Sequence, residues 1–279
     1  MNFELKKPIR IKGSNFFGFR SELYLRPHSF ADKKWRWRTA RKDCIPITPL
    51  IAKFSTRRIL LVHGSDSLQI FEHIGAVRFT GLIGVEAEVF GFPRCLPPYD
   101  GCALEIWKAV KPYRISHGTV LPRYTVSKSV QWTYPEKRGG QQAYTRIEPD
   151  KSGELVVAVF LSFPKYGTHE EVFRFPNDAL MESVLAAKTP GLPGYLRPVS
   201  RAASLLGWPH HSHIYWPNKA DTATLLGDFA RHRVLDVLGA LSLLCNDGLF
   251  SGRVISRCSG HRADIEAVKM AYRDLKRVS

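Results

Sequence analysis

The apolar positions of this chain fall into short alternating runs and a few helix-length segments, and both kinds recur in one order in each half. Residues 21–27 alternate as a half-buried strand does, with Leu23 and Leu25 on one face. Residues 58–62 and 85–90 read as strands, and 68–82 between them as an apolar helix. A turn over 96–102 leads into a helix at 103–110, and between about Pro112 and Pro122 the chain crosses to a second unit. There the pattern predicts strands at 124–133, 141–147, 155–163 and 171–175, with turns at Gly139-Gly140 and 150–153. Asn177 is expected to cap a helix over 178–188, followed by an inserted helix at 196–206 and a short strand near 213–216. A largely buried helix starts at Asp228, read as its N-cap, and its apolar residues run on to Leu244. A strand at 250–257 and a helix at 261–276 close the chain. Each half thus ends helix, strand, turn, helix. The expected class is α+β: two similar domains of a sheet plus two helices, residues 1–122 and 123–279, an internal duplication with its site between the halves, where clefts commonly form.

The helix beginning at Asp228 carries the first chemical signal. His232 and Asp236 are four apart, so both side chains leave one face a turn from each other. Desolvating an unpaired carboxylate and an imidazole costs several kcal/mol. A divalent metal compensates both at once, and a His nitrogen with an Asp oxygen suits zinc. The plainer alternative is that the two simply pair with each other or with solvent. Two further stretches weigh against it: Phe71-Glu72-His73-Ile74 in the helix at 68–82, and Cys258-Ser259-Gly260-His261 opening the last helix.

Composition narrows the setting. A chain of 279 residues has ample length for a core, and 44% apolar with 24% charged residues is ordinary for a globular protein. No apolar run approaches the ~20 residues of a membrane span, and residues 1–7 lack the apolar core of a signal peptide, so cytoplasmic residence is expected, and separately a monomer. Five scattered cysteines with no CxxC argue against a disulfide framework and a cysteine zinc finger. The net charge of +16 is the outlier and implies an anionic partner: nucleic acid, an acidic membrane surface or a phosphorylated substrate. Residues 33–38, with Arg41 and Lys42, interleave aromatic and basic side chains. They read either as a strand with Trp inward and Arg outward, or as a surface for single-stranded nucleic acid or lipid headgroups. His210, His211 and His213 read as a surface loop, with a second metal site as the alternative.

Taken together, Glu72-His73, the run Arg231-His232-Arg233-Val234-Leu235-Asp236-Val237-Leu238-Gly239 and Ser259-Gly260-His261 resemble the UDP-3-O-acyl-N-acetylglucosamine deacetylase family (LpxC) of lipid A biosynthesis, in order and in spacing. The resemblance extends over nearly the whole chain, and the nine-residue run is its specific part. It implies two α+β sandwiches facing each other across a zinc ion (Zn2+) held by His73, His232 and Asp236. It implies Glu72 as general base, and a protonated His261 that stabilises the oxyanion and protonates the leaving amine. Thr189 matches a threonine whose hydroxyl polarises the amide carbonyl. Arg233 stands where the family has a lysine, still able to grip phosphate or a sugar hydroxyl, and Arg257 adjoins Cys258, which replaces another lysine. Ala240 stands where the family carries an Asp that orients the catalytic His, with Asp264 and Asp247 as candidate substitutes. Pro190 replaces an aromatic, Asp264 an Asn and Phe16 a His. The implied reaction is hydrolysis of an N-acetyl group on a UDP-linked acylated amino sugar. The alternatives are a divergent paralogue acting on another amino sugar, or a basic protein of the same fold that binds nucleic acid or an anionic membrane without catalysis.

Overall fold

The structure, a computed structural model, describes residues 2–15, 19–28, 33–55, 58–97, 102–117, 121–138, 140–150, 152–163, 166–176, 178–190, 213–214 and 222–278. Alternation builds the first sheet. Strands β1 (Ile9–Ser14), β2 (Arg20–Pro27), β3 (Arg36–Arg38), β4 (Cys44–Pro46) and β5 (Val85–Gly91) lie in the order β1-β2-β5-β3-β4. β3 and β5 run parallel at the centre, and the other neighbours pair antiparallel. Leu23, Leu25, Trp37, Ala87 and Val89 point to the buried face. The opposite face is charged: Arg38 grips Glu86 with Nε and Nη2, while Arg26 and Lys42 hold Glu88.

The second sheet repeats that plan. Strands β6 (Val130–Arg138), β7 (Gln141–Glu148), β8 (Leu155–Phe163), β9 (Gly167–Phe175) and β10 (Gly252–Arg257) lie in the order β6-β7-β10-β8-β9, with β8 and β10 parallel and the rest antiparallel. Around the sheets the described residues form helices α1 (Phe71–Arg78), α2 (Leu104–Val110), α3 (Asp178–Ala186), α4 (Thr222–Leu241) and α5 (His261–Arg273). α1 precedes and α2 follows β5; α4 precedes and α5 follows β10. None of the described helices is long and apolar enough to cross a membrane.

α1 and α4 cross backbone to backbone. A Cβ on Gly75 would lie 2.6 Å from Ser242 Oγ and 2.8 Å from the Gly239 carbonyl, and one on Gly239 would collide with the Glu72 backbone. Only hydrogen fits at both places. The crossing is pinned at its end by Arg78, whose buried guanidinium donates to the carbonyls of Ser242 (2.9 Å) and Gly248 (2.8 Å). Burial lowers the Arg78 pKa to about 10. Trp35 adds a second tie, its amide donating to Asn246 Oδ1 at 2.7 Å.

The structure corrects several boundaries. The helix expected at 68–82 begins only at Phe71, because Leu68 belongs to the strand Asp66–Gln69 and Ile70 takes a left-handed backbone, φ 61°, that no helix continues. Asp228 is not an N-cap: α4 starts at Thr222, runs through Gly227, and leaves Asp228 paired with Arg231 within the helix. Packing against α1 and the second sheet outweighs the roughly 1 kcal/mol a mid-helix glycine costs. The strand expected at 124–133 divides into Arg123–Val126 and β6. The last helix ends at Arg273, and Leu275–Arg277 pairs with Arg123–Val126 as a strand. Where the chain was expected to cross between units, Arg114–His117 returns to pair with Asn2–Leu5. Trp35 and Trp37 are 1% and 0% exposed, so residues 33–38 offer no aromatic surface to a nucleic acid base. The inserted helix at 196–206, Asn177, Phe16, His210 and His211 lie outside the described residues.

Replacing Gly239 by Ala is expected to destabilise the fold by about 1–3 kcal/mol, the usual range for overpacking, read as a lower urea midpoint; an unchanged midpoint would mean the helices are not in contact. Glu86 gives a second test. The Arg38 hydrogen bonds hold its carboxyl at about 2, below the ordinary 4.5. A depressed carboxyl pKa contributes stability that is fully present above 4.5 and lost as pH falls through about 2. Acid unfolding curves of Glu86→Gln should therefore start from a lower stability at pH 7 and change less between pH 4.5 and 2 than those of the parent.

Candidate active site

Three helices converge where α1 crosses α4. The abrupt start of α1 after Ile70 puts Glu72 and His73 in its first turn, and all eight residues of this helix are buried. The Ile59 amide donates to Glu72 Oε2 at 2.9 Å, fixing one carboxylate oxygen. The other, Oε1, faces the His261 Nε2 at 4.0 Å. On α4, His232 Nε2 lies 3.5 Å from Asp236 Oδ1, and His261 Nε2 lies 3.8 Å from Asp236 Oδ2. The His73 and His232 rings stand perpendicular, centroids 5.9 Å apart.

Backbone carbonyls orient the imidazoles. His232 Nδ1 donates to the Ala187 carbonyl at 2.9 Å, which leaves Nε2 with its lone pair toward Asp236. The His73 ring hydrogen-bonds the Cys102 backbone. Burial lowers the pKa of both rings, that of His73 to about 3, so both are neutral at pH 7. Burial raises Glu72 to about 7. Asp236 is also pushed up by burial, but the cationic side chains facing it, the His261 imidazole first and the Arg233 guanidinium with it, outweigh that and hold it below the ordinary value.

His73, His232 and Asp236 are the donors a metal would use: two neutral imidazoles and an ionised carboxylate. Among the described residues no three His, Cys, Asp or Glu side chains form a ready metal cluster. The residues nonetheless fit an ion in kind, since among the described residues Asp236 Oδ1 is buried without a hydrogen-bond partner, an expensive state that a cation relieves.

The remaining residues fall differently. Arg233, expected to grip phosphate or sugar, is buried, and its guanidinium donates to Ser256, Ser259 and Asp264. Arg257 follows Ser256 on β10 and takes the opposite face of the sheet, where it lies over Phe160 and donates to Gln141; it is not brought into the cluster. Thr189 is described by its backbone, which pairs with His213 in a short parallel bridge next to Ala187. His261 Nδ1 is buried and unpartnered among the described residues. Neither expected substitute for an orienting carboxylate serves it: Asp264 binds Arg233 and Thr145, and Asp247 accepts from Tyr124 at 2.9 Å. Ala240, fully buried, has no side-chain acceptor to offer it. The carbonyls of Ala187 and Cys102 and the Ile59 amide are contributors that no residue pattern could reveal, because every residue carries them.

A carboxyl group that exchanges its proton near neutrality, beside an imidazole at a helix start, is suited to driving water into an acyl bond and releasing the group on its far side. The class is a hydrolase. The family model for LpxC, the UDP-3-O-acyl N-acetylglycosamine deacetylases, matches residues 4–272, and the chain belongs to that family. None of the curated proteins matches it. The family's enzymes are zinc-dependent deacetylases of lipid A biosynthesis, and membership over nearly the full length brings their activity to this chain.

Proposed function

We propose that the chain removes the acetyl group from UDP-3-O-acyl-N-acetylglucosamine with Glu72 as general base and His261 as general acid, and with His73, His232 and Asp236 holding zinc. The observation that carries this is the meeting of Glu72, Asp236 and His261 from three separate helices, His261 Nε2 facing both carboxylates within 4.0 Å. Bound zinc supplies a Lewis acid and makes water acidic enough to lose a proton near neutral pH. Glu72 takes that proton on Oε1, the oxygen not tied to Ile59. Water oxygen adds to the acetyl carbonyl carbon. His261 then gives its Nε2 proton to the sugar nitrogen as the carbon–nitrogen bond breaks, and acetate and a free amine leave. Thr189 polarises the carbonyl in this reading, supported by its place in the segment that also supplies the Ala187 carbonyl.

The repeated strand order supports two domains, 1–122 and 123–279, descended by duplication, with α1 and α4 as counterparts. The charge of +16 suits the substrate diphosphate and peripheral contact with an anionic membrane by a cytoplasmic monomer. A second reading, a paralogue acting on another amino sugar, is favoured by one observation: Arg233 is not exposed to a substrate.

Two results are expected. The chain binds about one zinc per molecule by elemental analysis, and acetate release stops on chelation and returns with zinc. Glu72→Gln keeps the zinc and loses activity by roughly 10²–10⁴-fold, the usual range for a general base. Zinc binding without acetate release from this sugar would favour the paralogue. Acetate release unaffected in Glu72→Gln would remove Glu72 from the chemistry.

A further inference from the structure

Arg233 sits beneath the site rather than in it. Its side chain is 6% exposed, and that of its ion-pair partner Asp264 is 2% exposed. The guanidinium divides its donors among three elements. Nε donates to Ser256 Oγ on β10 at 2.9 Å, Nη2 donates to Ser259 Oγ at 3.0 Å and pairs with Asp264 Oδ1, and Nη1 lies 3.5 Å from Asp236 Oδ2. Thr145, on β7, closes the network by donating to Asp264 Oδ1 at 2.8 Å. Asp264 and Asp236 together raise the Arg233 pKa against the effect of its burial, so the charge is permanent.

The two groups held by Nη2 bracket His261, with Ser259 two residues before it and Asp264 three after. His261 itself has no second anchor: Gly260 makes no side-chain cap, and His261 Nδ1 has no acceptor among the described residues. Its ring position therefore depends on how the start of α5 is held. The same guanidinium reaches Asp236 on its own helix.

We infer that Arg233 is a positioning residue, which through Asp264 and Ser259 sets the start of α5, and with it His261, at its working distance from Asp236 and Glu72, and that the substrate's phosphates are read elsewhere. The inference rests on the role given to His261 under Proposed function. Lysine at this position would keep a charge but could not span three elements, because its donors radiate from one nitrogen.

The test compares Arg233→Lys, Arg233→Met and the double variant Arg233→Met/Asp264→Leu. Arg233→Met should lower kcat about 10–100-fold, the size of effect a 1 Å misplacement produces, with KM within about twofold of the parent. It should also unfold at lower temperature, because Asp264 is left buried and unpaired. Arg233→Lys should retain more kcat than Arg233→Met. The double variant should regain the thermal midpoint, since an apolar pair of similar size replaces a buried ion pair without loss, yet keep the low kcat. If kcat returns with the midpoint, the pair is merely structural and the inference fails. A KM raised tenfold or more with kcat preserved would make Arg233 a substrate ligand and also overturn it. A crystal structure of the double variant reads the same question without turnover: His261 should move away from Asp236 and Glu72, and an unmoved ring sinks the inference. Should the parent release no acetate from this sugar, the functional reading fails by itself, while the position of His261 still decides this one.

Discussion

The contact on which everything else depends is the crossing of two helices at a pair of glycines. With no Cβ on Gly75 or Gly239, the α1 and α4 backbones meet at a separation any side chain would forbid. That closeness makes a site of residues lying far apart in the chain. Glu72 and His73 are on one side of the crossing and His232 and Asp236 on the other, and each pair alone would be an unremarkable buried polar group in search of a partner. Dispersion and burial along the two apolar helices stabilise the approach; Arg78 and the Trp35–Asn246 hydrogen bond fix its end.

Around that crossing the protein separates two kinds of electrostatics. Outward, the first sheet carries Glu86 and Glu88 with the cations Arg38, Arg26 and Lys42 beside them. Inward, burial leaves His73 and His232 neutral, lifts Glu72 and, among the described residues, leaves Asp236 Oδ1 and His261 Nδ1 unpartnered. Unfulfilled groups of this sort are costly in a low-dielectric interior, and they collect where a reacting molecule or an ion supplies the missing interaction.

How much of this the chain discloses depends on range. Periodicity located the strands at 141–147 and 155–163 and the helix at 103–110 to within a residue or so, because alternation and amphipathicity are local properties. It missed the start of α1, because a left-handed Ile70 has no compositional signature. It placed a cap at Asp228, because a polar residue after a glycine imitates a helix start when tertiary packing carries the helix through. The family was legible in nine consecutive residues and two short companions. Arg233 was not legible in the same way: the motif marks the position as basic, but only the fold shows that the charge faces Asp264. Nor could the sequence display the backbone carbonyls that orient both imidazoles.

Ile70 holds a backbone conformation that a β-branched residue adopts only under compulsion, at a cost of about 1–3 kcal/mol. It sits between the strand Asp66–Gln69 and Glu72, so the segment carrying the carboxylate is held in place like a bent spring by the packed core on either side. A glycine there would relax the bend, but it would also give the chain new directions in which to leave it. Strain at Ile70 and sharpness at Glu72 are therefore one property seen from two sides: the protein is less stable here than it need be, and its carboxylate has fewer places to go.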